Sequence, residues 1–175
     1  MRRPVASRII GGAVFGAAAG AVGTVAMDLE LYRRYRHAGG KDSLWRWEFA
    51  GSVMGWDQAS APGKIGQKLE GLVLRRPVPD SWARATTNAV HWSTGIGWGL
   101  QYGLLASRPS RHRLIRALAL GPVAWLSSYV ILPLTGVYEP IWKYDAKTLG
   151  KDLSAHLVFG AATSASLAAL TRKQP

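Results

Sequence analysis

Two acids and two histidines draw the eye because each sits at the edge of an uncharged apolar stretch. Asp28 follows the run Ile9 to Met27, and Glu139 follows Ala117 to Tyr138. His91 lies early in Ala85 to Ser107, and His156 lies early in Leu153 to Thr171. A carboxylate beside an imidazole favours the charged ring and holds one tautomer, which suits proton or substrate handling. The same four groups could ligate a divalent metal such as zinc or iron. Two histidines at one depth on different helices could instead ligate haem from both faces. The plainer alternative is structural: acids mark helix ends, and histidines donate hydrogen bonds between helices. Residue types alone leave the metal or cofactor unknown.

Reaction signatures are missing. There is no nucleotide-binding glycine loop with its lysine, no His-Glu-x-x-His and no Gly-x-Ser-x-Gly. With no cysteine, disulfides, thiolate metal sites and thiol catalysis are excluded. A non-catalytic role is therefore expected ahead of an enzyme; an enzyme acting on lipid is the third reading, since no nucleophile with an activating base stands out.

The elements that must position these groups are apolar helices. Residues 9–27, 85–107, 117–138 and 153–171 contain no Lys, Arg, Asp or Glu. About 20 helical residues cross a hydrocarbon layer of roughly 30 Å, so four spans are expected. Averages hide this, because the chain is only 48% hydrophobic and its mean hydropathy is +0.02.

The net charge of +12 invites a nucleic-acid reading. Its distribution argues against one. Arg2, Arg3 and Arg8, then Arg108, Arg111, Arg113 and Arg116, then Arg172 and Lys173 occupy three segments without an acid. Four spans place all three on one side, and the positive-inside bias makes that side, with both termini, cytoplasmic. Anionic lipid headgroups are the natural partners of Arg108, Arg111, Arg113 and Arg116; nucleic acid is not expected. In this topology Asp28, His91, Glu139 and His156 share one outer layer, and reversing it would exchange sides but keep the layer. Each helical hairpin reads acid then histidine, the mark of a faint internal duplication.

Small residues recur every four positions at Gly12, Gly16, Gly20 and Thr24, then at Gly95, Gly99 and Gly103 after His91, and at Gly160, Ser164 and Ala168 after His156. Such stripes let helix backbones approach closely. They serve either packing within the chain or attachment to a second membrane subunit. The first run is expected to be retained rather than cleaved as a signal peptide, since it exceeds an ordinary signal core and cleavage would destroy its stripe.

The long connection, residues 28–84, is expected outside. The first helix should continue through Arg34 and end at His37-Ala38-Gly39-Gly40. Ser43 to Ala50, with Trp45, Trp47 and Phe49, lies either at the headgroup level or against a neighbouring helix, and Trp56 follows. Ser60-Ala61-Pro62 opens a helix whose stripe Ile65, Leu69, Leu72 should lie on a surface, before Pro77 and Pro79 stop it. Asp80 or Ser81 should cap the second span and Asp152 or Ser154 the fourth. Pro122 and Pro133 should kink the third.

Asn88-Ala89-Val90-His91-Trp92, with Gly95, Trp98-Gly99 and Tyr102-Gly103, resembles the second-helix pattern of YagU-like small bacterial inner-membrane proteins. Ser154-Ala155-His156-Leu157-Val158-Phe159-Gly160 resembles their later Ser-x-His-Leu-x-x-Gly segment. The resemblance covers well under half the chain and implies location in the bacterial inner (plasma) membrane more than an activity.

The expectation is an all-α single domain over residues 1–175: an integral membrane bundle of four transmembrane helices with one or two interfacial helices in the first long connection. Its leading function is that of a non-catalytic accessory or structural subunit working through helix packing and lipid contact. The alternative is a transporter-like, metal-binding or haem-binding protein using the acid–histidine layer.

Overall fold

Among the residues that the computed structural model describes, 5–108 and 110–172, every regular element is helical. The first, α1, runs from Val5 to His37 without interruption. No proline falls inside it, and it ends where glycine permits a left-handed turn. Gly39 has φ +90°, its N–H donates to Arg36 O at 3.1 Å, and the Gly40 N–H donates to Tyr35 O at 2.9 Å. That pair of bonds is a Schellman motif, and it satisfies carbonyls the helix end would leave open. A five-residue helix, α2 (Leu44–Glu48), follows, with Ser43 accepting from the Arg46 N–H. Next come α3 (Ala61–Leu74), a 3-10 turn (Asp80–Trp82) and α4 (Ala83–Ala106). The chain closes with α5 (Arg113–Leu134), a 3-10 turn (Ile141–Lys143) and α6 (Ala146–Arg172).

Three segments, Ala6–His37, Arg113–Leu134 and Ala146–Arg172, are long and apolar enough to cross a membrane. The remaining expected span, α4, reaches full length, but Asn88, His91, Gln101 and its glycines lower its hydropathy.

Two of the other spans differ from expectation. The helix α5 stops at Leu134, before Tyr138, because Gly136 (φ +68°) turns the chain and Leu132 O accepts from the Val137 and Tyr138 N–H groups. The helix α6 starts at Ala146, so Asp152 and Ser154 are interior residues rather than caps; Ser154 Oγ donates to Lys151 O at 2.7 Å. Asp145, of a type favoured at helix starts, directly precedes it. Nor does Asp80 cap α4: it sits in the preceding 3-10 turn, and its carboxylate accepts from the Trp56 N–H. Pro122 and Pro133 both lie inside α5, which stays continuous.

The chain forms two compact units. In the unit made of α1 through Glu30, α4 from Thr94, α5 through Leu126 and α6, glycines meet glycines. A Cβ added to Gly12 would lie 2.7 Å from Gly103 O, one on Gly16 2.5 Å from Gly99 O, and one on Gly20 2.6 Å from Gly95 O. Each step of four up α1 meets a step of four down α4, so the two helices are antiparallel and in backbone contact. Thr24 Oγ1 donates to Gly20 O at 2.9 Å, and its side chain fills the space over Gly95. Against α6, Gly23 faces Phe159 and Thr163. Between α5 and α6, a Cβ on Gly121 would meet His156 O at 2.5 Å, and one on Gly160 would meet Gly121 N at 2.5 Å.

Large apolar side chains of this unit point the other way. Ile10 is 64% exposed, Leu114 71% and Leu118 67%, whereas Ala19, Ala155, Thr24 and Thr163 are buried. A water-soluble protein places its large hydrophobes inside. Here mostly small residues, joined by Leu120, Phe159 and Leu167, build the interior, and many of the large ones coat it.

The second unit, Leu31–Ser93 with Ser127–Asp145, has a small conventional core of Trp56, Ala59, Val78 and Ala83. Trp56 Nε1 donates to Val78 O at 2.9 Å, which lets the indole be buried without losing its hydrogen bond. The helix α3 packs on α4 through Gly63 against Thr87 and Gly66 against Thr86, and Thr86 Oγ1 donates to Glu70 Oε1 at 2.7 Å. Leu69, Leu72 and Val73 of α3 are exposed, so its apolar stripe is not covered by protein.

Candidate functional site

The four residues singled out by their positions divide between the units, Asp28 and His156 in the first, His91 and Glu139 in the second. Asp28 is the one buried charged residue among those described, 3% exposed on α1. His156 is held by its own helix. Its Nδ1 lies 3.0 Å from the Asp152 carbonyl oxygen and 3.6 Å from Asp152 Oδ1, one turn earlier. A carbonyl can only accept, so Nδ1 carries the proton and Nε2 is left as the acceptor or ligand nitrogen. Asp152, expected as a cap, is thus the acid next to His156.

Glu139 is exposed in the turn after α5, and its backbone N–H donates to Tyr144 Oη at 3.1 Å. Around that bond Tyr129, Tyr138 and Tyr144 form a cluster with ring centroids 5.4–6.1 Å apart.

The acid near His91 within the second unit is Glu48. A carboxylate oxygen of Glu48 and a ring nitrogen of His91 lie within 4.8 Å, a gap that one water or one cation spans. The positioning is built into the backbone. Phe49 O, next to Glu48, accepts from Arg84 Nε at 3.0 Å and from Asn88 Nδ2 at 3.0 Å. Asn88 and His91 are three apart and share a face of α4. Anchoring Phe49 to Asn88 therefore sets the Glu48 carboxylate beside His91, whose ring is also edge-on to Trp92 at 6.2 Å.

Part of the aromatic segment around Glu48 packs on a neighbouring helix and part of it is exposed. Trp47 packs on Tyr32 (5.5 Å) and Tyr35 (6.0 Å), while Trp45 and Phe49 stack on each other and are exposed. The Tyr35 hydroxyl accepts from the Lys41 and Asp42 N–H groups, and Tyr32 Oη donates to Asp42 O. These bonds fold the loop after α1 back along the helix and bring α2 with it.

Sequence reasoning did not single out Glu48, because an acid in a Trp-rich stretch carries no periodic signal. It also passed over Gly121, which lies outside any four-residue repeat although it is the counterpart of Gly160.

Among the arginines, Arg116 Nη1 donates to Leu105 O at 2.9 Å and Arg8 Nη2 to Ser107 O at 2.7 Å. Both satisfy carbonyls at the C-terminal end of α4, a favourable place for cations. Arg111 pairs with the neighbouring His112 ring at 3.1 Å, and Arg108 and Arg113 are exposed. Comparison with protein-family models, curated proteins and solved structures returned no match.

Proposed function

We propose that this chain is an integral membrane protein with four spans, α4 among them, and that it works without catalysis as an accessory or structural subunit. The observation that carries the reading is the packing of the first unit, with Gly, Ala and Thr at the helix contacts and many large apolar side chains, among them Ile9, Ile10, Val14, Leu114, Ile115 and Leu118, facing outward. Such a surface is unfavourable in water and suited to lipid, where close backbone packing takes over from hydrophobic burial. Because α4 fills the α1 glycine stripe, the stripe serves the chain's own assembly. A protein partner would dock on the large apolar side chains instead. Both termini and the Arg108–Arg116 segment lie on the cytoplasmic side of a bacterial plasma membrane, in keeping with the positive-inside bias.

The absence of cysteine makes the topology directly testable. Lys41→Cys and Arg111→Cys would be labelled in intact cells with a membrane-impermeant maleimide. Four spans place Lys41 outside and Arg111 inside, so only Lys41→Cys reacts before permeabilisation. Equal labelling of both would remove α4 as a span. Purification in mild detergent, with mass spectrometry of whatever travels along, tests the subunit role, and a chain that is consistently alone speaks against it.

A second reading is favoured by one contact, the Glu48 carboxylate within 4.8 Å of the His91 ring. The pair would supply one oxygen and one nitrogen ligand to a divalent cation, or a proton-sharing couple. Zinc titrated into purified protein should bind near one equivalent and fail to bind His91→Gln or Glu48→Gln. Unchanged zinc binding in both variants would dismiss this reading.

A further inference from the structure

Between α4 and α5 in the first unit runs an open groove of about 500 Å³. Its walls are Trp98, Tyr102 and Leu105 from α4 with Leu120 and Val123 from α5. Its two cations, Arg108 and Arg116, lie at one end, and beyond them the lining is apolar apart from Gln101, whose amide donates to Gly97 O. From Trp98 to Ala106, where α4 ends, the helical rise amounts to roughly 12 Å, so charge and grease are separated along the groove. The polarity is that of a phospholipid, with an anionic head at one end and a hydrocarbon chain beyond it.

Three further observations narrow the occupant. The guanidinium of Arg116 is fixed at the mouth by its bond to Leu105 O, leaving other N–H groups for an anion. Thr94 to Leu126 contains no Asp or Glu, so no carboxylate of this segment competes for the two arginines. Leu105 and Val123 on the groove walls are exposed, so no protein covers them.

We infer that this groove is a specific site for one anionic phospholipid, its phosphate held by Arg108 and Arg116 and an acyl chain laid along Tyr102, Leu120 and Val123. The inference rests on the membrane reading above. It distinguishes a retained lipid from the general annulus, which would be drawn equally to Arg111 and Arg113.

The test is native mass spectrometry of the full chain, purified in mild detergent and offered phosphatidylglycerol or phosphatidylcholine. The wild type should hold one phosphatidylglycerol and discriminate against phosphatidylcholine. Each basic residue near an anionic headgroup contributes enough that Arg108→Gln with Arg116→Gln should weaken retention about thirtyfold, while Arg111→Gln with Arg113→Gln changes it little. Ala119→Trp, which fills the groove and keeps both arginines, should also release the lipid. Gel filtration and thermal unfolding of each variant separate lost lipid from lost fold. Equal losses in the two arginine pairs, equal retention of the two lipids, or lipid retained by Ala119→Trp would overturn the site. If alkaline carbonate strips the protein from membranes, the membrane reading itself fails; if the protein stays in the membrane without preferring phosphatidylglycerol, only the site fails.

Discussion

Replacing Gly16 by alanine should destabilise the protein, whereas the same change at Gly97 should stabilise it. In an open helix the added methyl is favourable, since alanine exceeds glycine in helix propensity by about 0.8–1 kcal/mol. At Gly97 nothing lies within 4 Å of the new Cβ, so this gain is all that is expected. At Gly16 the Cβ would sit 2.5 Å from Gly99 O and 2.8 Å from Gly103 Cα. Ordinary contact begins near 3.4 Å, so α1 and α4 must part by about 0.9 Å at this point. A gap of that size forfeits a quarter to a half of the dispersion well of each contact along the seam. Overpacking of this kind costs about 1–3 kcal/mol, and after the propensity gain a net loss of up to about 2 kcal/mol remains. For a chain of this length each kcal/mol moves the melting temperature by about 2–4 °C. Tryptophan fluorescence of the detergent-purified full chain, which has eight tryptophans, would follow the transition. The prediction lies in opposite signs at two glycines rather than in either magnitude. If Gly16→Ala and Gly97→Ala raise the melting temperature together, α1 and α4 are not in backbone contact and the seam argument is wrong.

Three other substitutions probe the second unit. Trp56→Phe removes the indole N–H that serves Val78 O and leaves a buried carbonyl unpaired, a loss of about 1–3 kcal/mol readable in chemical denaturation. Thr86→Val deletes the 2.7 Å bond to the Glu70 carboxylate and should cost about 1.5–3 kcal/mol, whereas Thr86→Ser keeps the hydroxyl and most of the stability. Equal stabilities for the valine and serine variants would deny that bond its role. Tyr35→Phe takes the shared acceptor from the Lys41 and Asp42 N–H groups, so trypsin should cut after Lys41 several times faster with little change in overall melting temperature.

Much of this architecture is legible along the chain because it is local. The helix through Asp28 to His37 and its stop at Gly39 follow from an unbroken pattern ended by the one residue suited to φ +90°. The start of α3 at Ser60-Ala61-Pro62 is equally local. Apolarity and helix part company at two places. The helix α6 begins before the uncharged run, because Lys147, Lys151 and Asp152 are compatible with helix though not with hydrocarbon. The helix α5 ends within its uncharged run, because Gly136 turns the chain regardless of hydropathy.

The polar groups show the same limit more sharply. Spacing placed Asp28, His91, Glu139 and His156 at comparable depths, but depth does not select a neighbour. The acid near His156 is Asp152 on the same helix, and the acid near His91 in its unit is Glu48, brought there by hydrogen bonds from Arg84 and Asn88 to Phe49 O. Which face of a helix is lined by small residues is a periodic property, carried by repeats of about four residues that act within one helix. The helical class, the small-residue stripes on α1 and α4 and the separation of charge are therefore readable from the order of residues alone. Only the tertiary structure decided that Gly12, Gly16 and Gly20 face Gly103, Gly99 and Gly95, that Gly121 answers Gly160, and that Glu48 rather than Glu139 stands beside His91. The reason is geometric: a repeat states which face of a helix is small, but the partner of that face depends on loop bonds and packing between residues far apart in the chain.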